Sequence, residues 1–220
     1  MQRMLRSIPQ EQVPFATALG LTQLAQQVKA EEVEEIKRLF DRPTPFTLNS
    51  LFVQPATKTR QSSRVWLRDY APKGTPATEY LLPHIEGGER TAKRSEVLLR
   101  RKGILGSSEF LVPGSGAPLD QYGNISRGQI NTMLSHLRAQ WDPYQNTPTG
   151  RRTRFFAKRT RGRLIIFRRQ GKQIAPFMVG VKTPQYKVIF KFFDVAQRVV
   201  DRDYRAIFLG AIAQALRTAR

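Results

Sequence analysis

The sequence predicts an α+β fold: an antiparallel sheet with a basic hairpin, packed against long N-terminal and C-terminal helices. Three observations predict it. Apolar residues recur at three- and four-residue steps over residues 14–40 and again over 192–219, which is helical periodicity. Between them lie short runs rich in Val, Ile and Phe, punctuated by Gly and Pro, as strands and turns are. The order is helix, strands, short helix, strands, helix, which segregates the two element types instead of alternating them. With 220 residues, 40% apolar and 25% charged, the chain can bury a core, and one domain over 1–220 is expected.

The first helix is expected to begin after Pro14, where Phe15, Leu19, Leu21, Leu24, Ala25, Val28, Ile36, Leu39 and Phe40 form one stripe. Glu31, Glu32, Glu34 and Glu35 are then placed on its outer side, within reach of Lys29, Lys37 or Arg38. Asp41-Arg42-Pro43-Thr44-Pro45 ends the helix, because proline lacks a donor and holds the preceding residue extended; an extended bridge is expected over 41–50. Residues 51–53 and 64–68 read as strands, 69–91 as loop, and 95–105 as a short helix or strand. The stretch 103–128 is rich in Gly, Pro and Ser, yet Phe110, Leu111 and Val112 make it an ordered excursion and not a linker.

Ser126 stands three residues before Gln129 in capping-box spacing, with Ile130, Met133, Leu134 and Leu137 behind it, so a helix is expected over 127–139. Residues 154–159 and 164–169 flank Thr160-Arg161-Gly162-Arg163 as the strands of a hairpin within 151–172. Residues 177–182 and 186–190 would extend that sheet. Ala196, Val200, Tyr204, Ile207, Phe208, Ala211 and Ala215 trace the last helix.

Charge is the strongest functional signal. Lys and Arg number 37 against 17 Asp and Glu, a formal net charge of +20, so a polyanionic or acidic partner is expected. Thirteen of the cations and none of the acids lie between 151 and 191. The candidate contact residues are Arg151, Arg152, Arg154, Lys158, Arg159, Arg161, Arg163, Arg168, Arg169 and Lys172. They read either as a solvated edge that blocks strand-to-strand aggregation or as a contact with DNA or an acidic protein surface. Phe155, Phe156 and Phe167 adjoin Leu164, Ile165 and Ile166, which favours core packing over base stacking.

Other chemistries lack their parts. There is no Cys, and His84 and His136 are the only histidines, which leaves no thiolate or imidazole cluster for zinc, iron–sulfur or disulfide chemistry. Neither histidine lies in a nucleophile motif. Gly114-Ser115-Gly116 is not followed by the Lys-Ser/Thr of a phosphate loop. Asp41 and Asp69 have no clustered carboxylates to hold magnesium, and Asp194, Asp201 and Asp203 read as helix-surface acids near Arg198, Arg202 and Arg205. No cofactor, metal or catalytic residue is expected. No apolar run approaches the ~20 residues of a membrane span, and residues 1–12 are too polar for a secretory signal, so no membrane partner is expected.

Two stretches carry a resemblance. Phe15-Ala16-Thr17-Ala18-Leu19, the helix after it, the run Leu39-Phe40-Asp41-Arg42-Pro43-Thr44-Pro45-Phe46-Thr47-Leu48-Asn49-Ser50-Leu51 and Pro55-Ala56-Thr57-Lys58 form the first. Phe110-Leu111-Val112-Pro113 through Asp120-Gln121-Tyr122-Gly123-Asn124-Ile125-Ser126-Arg127-Gly128-Gln129-Ile130 form the second. Together they resemble tailed-bacteriophage and prophage proteins of the minor tail protein Z, or tail completion, type; the basic region and the last helix match only in general plan. The resemblance implies a non-enzymatic structural protein of the virion tail or neck, made in the host bacterial cytoplasm. It implies a ring of copies at the head–tail junction, touching portal, connector or tail proteins or packaged DNA. The alternative is a nucleic-acid-binding protein without sequence preference.

Overall fold

The computed structural model describes residues 2–72, 74–148, 150 and 154–218, with side chains described from residue 12 onward. The chain is arranged as two compact units. Met1–Gly87 and Lys187–Arg220 form the first, and Gly88–Tyr186 forms the second. Helices and antiparallel sheets make the whole an α+β protein, as expected.

In the first unit, α1 (Gln2–Leu39) and α7 (Phe192–Thr218) run antiparallel. Their seam is built from Leu24 and Val28 against Val199, and Gly20 leaves room for the Phe208 ring. Helix α1 starts well before Pro14, which is carried inside it. Glu34 pairs with Lys37 and Glu35 with Arg38 along the exposed side, as helix spacing requires. Glu32, expected outside with them, is instead fully buried, and neither carboxylate oxygen has a hydrogen-bond partner. One turn further on, Ile36 anchors a second cluster with Leu51 of β1 (Leu51–Gln54), Leu67 of β2 (Arg64–Leu67), Phe190 and Phe192. The segment after α1 is not wholly extended. Thr44 caps α2 (Pro45–Leu48) by accepting the Thr47 N–H at 3.1 Å, and Pro45 takes the first helical position, where its missing N–H costs nothing. Two further short helices, α3 (Ala77–Tyr80) and α4 (Leu82–Glu86), occupy the segment read as loop and add Ala77, Leu81 and Ile85 to this core.

The second unit opens with β3 (Gly88–Glu89), which pairs with β8 (Gln185–Tyr186). This small ladder replaces the expected continuation of the sheet over 186–190. The segment of uncertain type is a helix, α5 (Arg94–Arg101). The 103–128 excursion contributes β4 (Glu109–Pro113), and then α6 (Arg127–His136) begins with Ser126 Oγ accepting the Gln129 N–H. Strands β5 (Phe155–Thr160), β6 (Arg163–Gln170) and β7 (Gln173–Lys182) join β4 in an antiparallel sheet of order β4-β7-β6-β5. Its core face carries Leu111, Phe155, Leu164, Ile166 and Met178, closed by Leu98 and Leu99 of α5 and Met133 and Leu134 of α6. A bulge between Ile166 and Phe167 re-aims β7 so that Phe177 also enters this core.

Gly114 and Gly116 have a packing reason. A Cβ at Gly114 would lie 2.5 Å from the Pro176 carbonyl oxygen and one at Gly116 2.3 Å from the Ala175 Cβ, so only a bare backbone can lie this close to β7. Both amides bond to that strand, Gly114 to Phe177 and Gly116 to Pro176. Among the described residues, no helix is long and apolar enough to cross a membrane.

Candidate functional site

The hairpin tip follows from two residues. Thr160 pairs with Arg163, so the loop is Arg161-Gly162 alone, and both have positive φ (51° and 75°). That is the backbone of a two-residue turn whose twist matches its strands. Glycine adopts it freely, whereas Arg161 is held there with its side chain exposed at the tip.

Register sorts the cations by face. Phe155, Ala157 and Arg159 lie opposite Arg168, Ile166 and Leu164 on the core side, while Phe156, Lys158 and Thr160 lie opposite Phe167, Ile165 and Arg163 on the outer side. The block therefore divides into two groups. Lys158, Arg159, Arg161 and Arg163 surround the tip; Arg154, Arg168, Arg169 and Lys172 stand at the far end of the ladder. Arg163 and Arg168 are five residue steps apart, about 17 Å of strand. Arg151 and Arg152 lie outside the described residues.

Within each group the cations differ. Arg159 is committed inside the chain: its two terminal nitrogens donate to the two Glu109 oxygens at 2.8 and 2.7 Å. This guanidinium, with the Gly106 N–H, holds the Glu109 carboxyl down at about 2 despite some burial. Arg169 lies over the Phe156 ring at 5.4 Å, and Arg168 donates to Gln170 while its Nε is buried without a hydrogen-bond partner. Arg154, Lys158, Arg161, Arg163 and Lys172 are exposed and have no ion pair among the described residues.

The three phenylalanines also separate. Phe155 is in the core, 4.7 Å from Phe177. Phe156 and Phe167 stand on the outer face, stacked on each other at 5.4 Å and 19°, and Arg169 sits against Phe156. Those contacts use the ring faces that base stacking would need, so this face presents cations before it presents aromatic platforms.

Sequence reading missed an acid that organises the sheet edge. Glu96 of α5, buried, accepts from both terminal nitrogens of Arg90 (2.9 and 2.6 Å), from the Lys93 N–H and from the Leu111 N–H of edge strand β4. Burial alone would raise its pKa, but these donors bring it below the usual carboxylate range. Arg100 donates to the Glu109 carbonyl, and the Arg90 and Arg100 guanidiniums cover Phe110 at 4.7 and 4.8 Å. Side chains thus occupy the edge where another strand would pair. The signal available in sequence was the acid three residues after Lys93, at the position from which a carboxylate reaches back to the backbone N–H at the start of a helix.

Both histidines make contacts within the fold. His84 meets Phe40 edge-on, and its backbone oxygen accepts from Ile189 and Phe190. His136 Nδ1 accepts the Arg154 N–H at 3.0 Å beside Phe155. Asp203 is bound by Arg202, which also reaches Glu31, and Asp201 accepts from Gln197. No group of three or more potential metal ligands occurs among the described residues. No family model, curated protein or solved structure matches the chain.

Proposed function

We propose that the chain is a non-enzymatic structural protein of a tailed-phage virion. In this reading it is one subunit of a ring at the head–tail junction, and its hairpin tip makes the electrostatic contact with a neighbouring subunit. The sequence resemblance supplies the virion assignment. The observation that carries the contact is the tip itself: Arg161 in the two-residue turn and Lys158 and Arg163 on the strands beside it have no acidic partner among the described residues, next to an Arg159 already neutralised by Glu109. Three like charges held together repel one another until an anionic surface meets them. Because the turn is short and its strands are anchored in a sheet, the cations are presented without ordering a loop, which lowers the entropy lost on docking.

The test is charge reversal at the tip with the core pair left intact. Lys158→Glu, Arg161→Glu and Arg163→Glu together should leave the chain folded and prevent its incorporation into particles. A second reading, nucleic-acid binding without sequence preference, uses the same cations against phosphates. It is favoured by the excess of +20, and predicts affinity for duplex DNA that falls steeply with salt.

A further inference from the structure

A second cationic feature lies elsewhere in the same unit. A cleft of about 380 Å³ is bounded by the C-terminal ends of α5 and α6 and the loop after α6. Arg101, Lys102 and Arg138 line it together with Gln140 and Asn146, and none of its lining residues is acidic. None of the three cations has an ion pair among the described residues. The nearest acid in sequence, Asp142, is turned into its own loop, where it accepts from the Tyr144 N–H and the Gln145 side chain.

Two details set this cleft apart from an ordinary basic surface. The end of α6 is a Schellman turn, with Ala139 N–H bonded to Leu134 and Arg138 N–H to Ser135, and its left-handed position is filled by Arg138 at φ 54° where glycine is preferred. A residue with a side chain in this conformation carries a strain that glycine would not, and here that side chain is a guanidinium lining the cleft. Beside the cleft two aromatic side chains stand in solvent: Trp141 is 66% exposed and Tyr144 97% exposed. The Arg101 guanidinium lies over the Trp141 ring, 4.1 Å from its centroid, and the indole remains largely exposed beside it. The rim is fixed by Gln140 N–H to Asn146 Oδ1, Thr147 N–H to Ser135, and the Gln140 side chain to Asn131.

We propose that this cleft binds single-stranded nucleic acid, with Arg101, Lys102 and Arg138 on the phosphates and a base stacked on Trp141. Cations beside exposed aromatic rings are the elements such binding requires, and the cleft is of nucleotide size. An acidic peptide would use the cations but leave the indole and phenol faces exposed. The strand continues toward Arg154, whose N–H is bonded to His136, two residues before Arg138. The site does not depend on the hairpin tip.

The experiment is fluorescence anisotropy of a labelled oligothymidylate of about 12 nucleotides. It is run on the Lys158→Glu, Arg161→Glu, Arg163→Glu background so that tip binding does not contribute. Trp141→Ala should weaken binding about tenfold or more. Arg101→Gln with Lys102→Gln should weaken it and flatten its salt dependence by about two phosphates' worth. Arg138→Gly should weaken binding while raising the melting temperature, since it relieves the left-handed residue. Absence of binding, an affinity unchanged by Trp141→Ala, equally tight binding of a blunt duplex, or melting shifts with no change in affinity would each overturn the proposal. The last would mean that the cations only complement the helix ends.

Discussion

Arg159 and Glu109, fifty residues apart, meet fork to fork at 2.7 and 2.8 Å, so that the most cationic stretch of the chain contains one guanidinium already answered by its own sheet. Glu109 begins edge strand β4 and Arg159 lies on edge strand β5, the two outer strands of the order β4-β7-β6-β5. The pair therefore spans the sheet on its core side and stiffens the base of the hairpin tip. Glu109→Gln should lower the melting temperature more than Arg159→Gln, because it also weakens the bond to the Gly106 N–H. Since the folded pKa of Glu109 is depressed to about 2, its stabilisation is present above the ordinary carboxylate range and is lost as pH falls toward 2. The wild type and Glu109→Gln should therefore melt apart at neutral pH and converge at strongly acid pH.

Glu96 is the more costly acid to remove. Glu96→Ala leaves the Arg90 guanidinium, with its side chain only 11% exposed, without its partner and also frees the Leu111 N–H. A loss of about 3 kcal/mol or more is expected from urea unfolding at neutral pH. A variant as stable as the wild type would mean that the edge of β4 is held by packing alone.

Glu32 works in the opposite direction. Burial, and secondarily the neighbouring Glu35, raises its pKa to about 8 against an opposing pull from Arg198. The folded state then holds a proton that the unfolded chain has released, so stability falls as pH rises from about 4.5 to about 8 and is lowest above that. Glu32→Leu should remove this slope and stabilise the protein above pH 8 by on the order of a few kcal/mol. Parallel pH profiles for the two proteins would contradict the buried, proton-holding carboxyl.

Much of this architecture was legible in local pattern. The stripe of Leu24, Val28 and Ile36 marked the first helix, Ser126 and Gln129 marked the start of α6, and Thr160-Arg161-Gly162-Arg163 marked the hairpin bend, which strand register narrows to Arg161-Gly162. What local pattern does not contain is pairing at a distance. Glu109 opposes Lys182, so nothing near residue 110 indicated that a Gly-rich excursion supplies a sheet edge. Glu32 looks identical to Glu34 and Glu35 until the chain folds over it. The candidate cations were legible as a group, but their division into a tip and a far end follows from strand register, and the commitment of Arg159 follows from an acid outside the block.

Close backbone approach gives a further check. Gly116→Ala places a methyl against the Ala175 Cβ, and the loop must shift to relieve it. A destabilisation of about 1–3 kcal/mol is expected, measured by thermal melting, with Ser115→Ala as the neighbouring control that should change little.

Whether the hairpin tip is a docking element or a solvated edge is decided by particle incorporation of the Lys158→Glu, Arg161→Glu, Arg163→Glu variant, scored by mass spectrometry of purified virions after circular dichroism has shown a wild-type melt. A docking tip gives a folded chain absent from particles; incorporation at the wild-type level, with unchanged salt sensitivity, makes the tip a solvated edge.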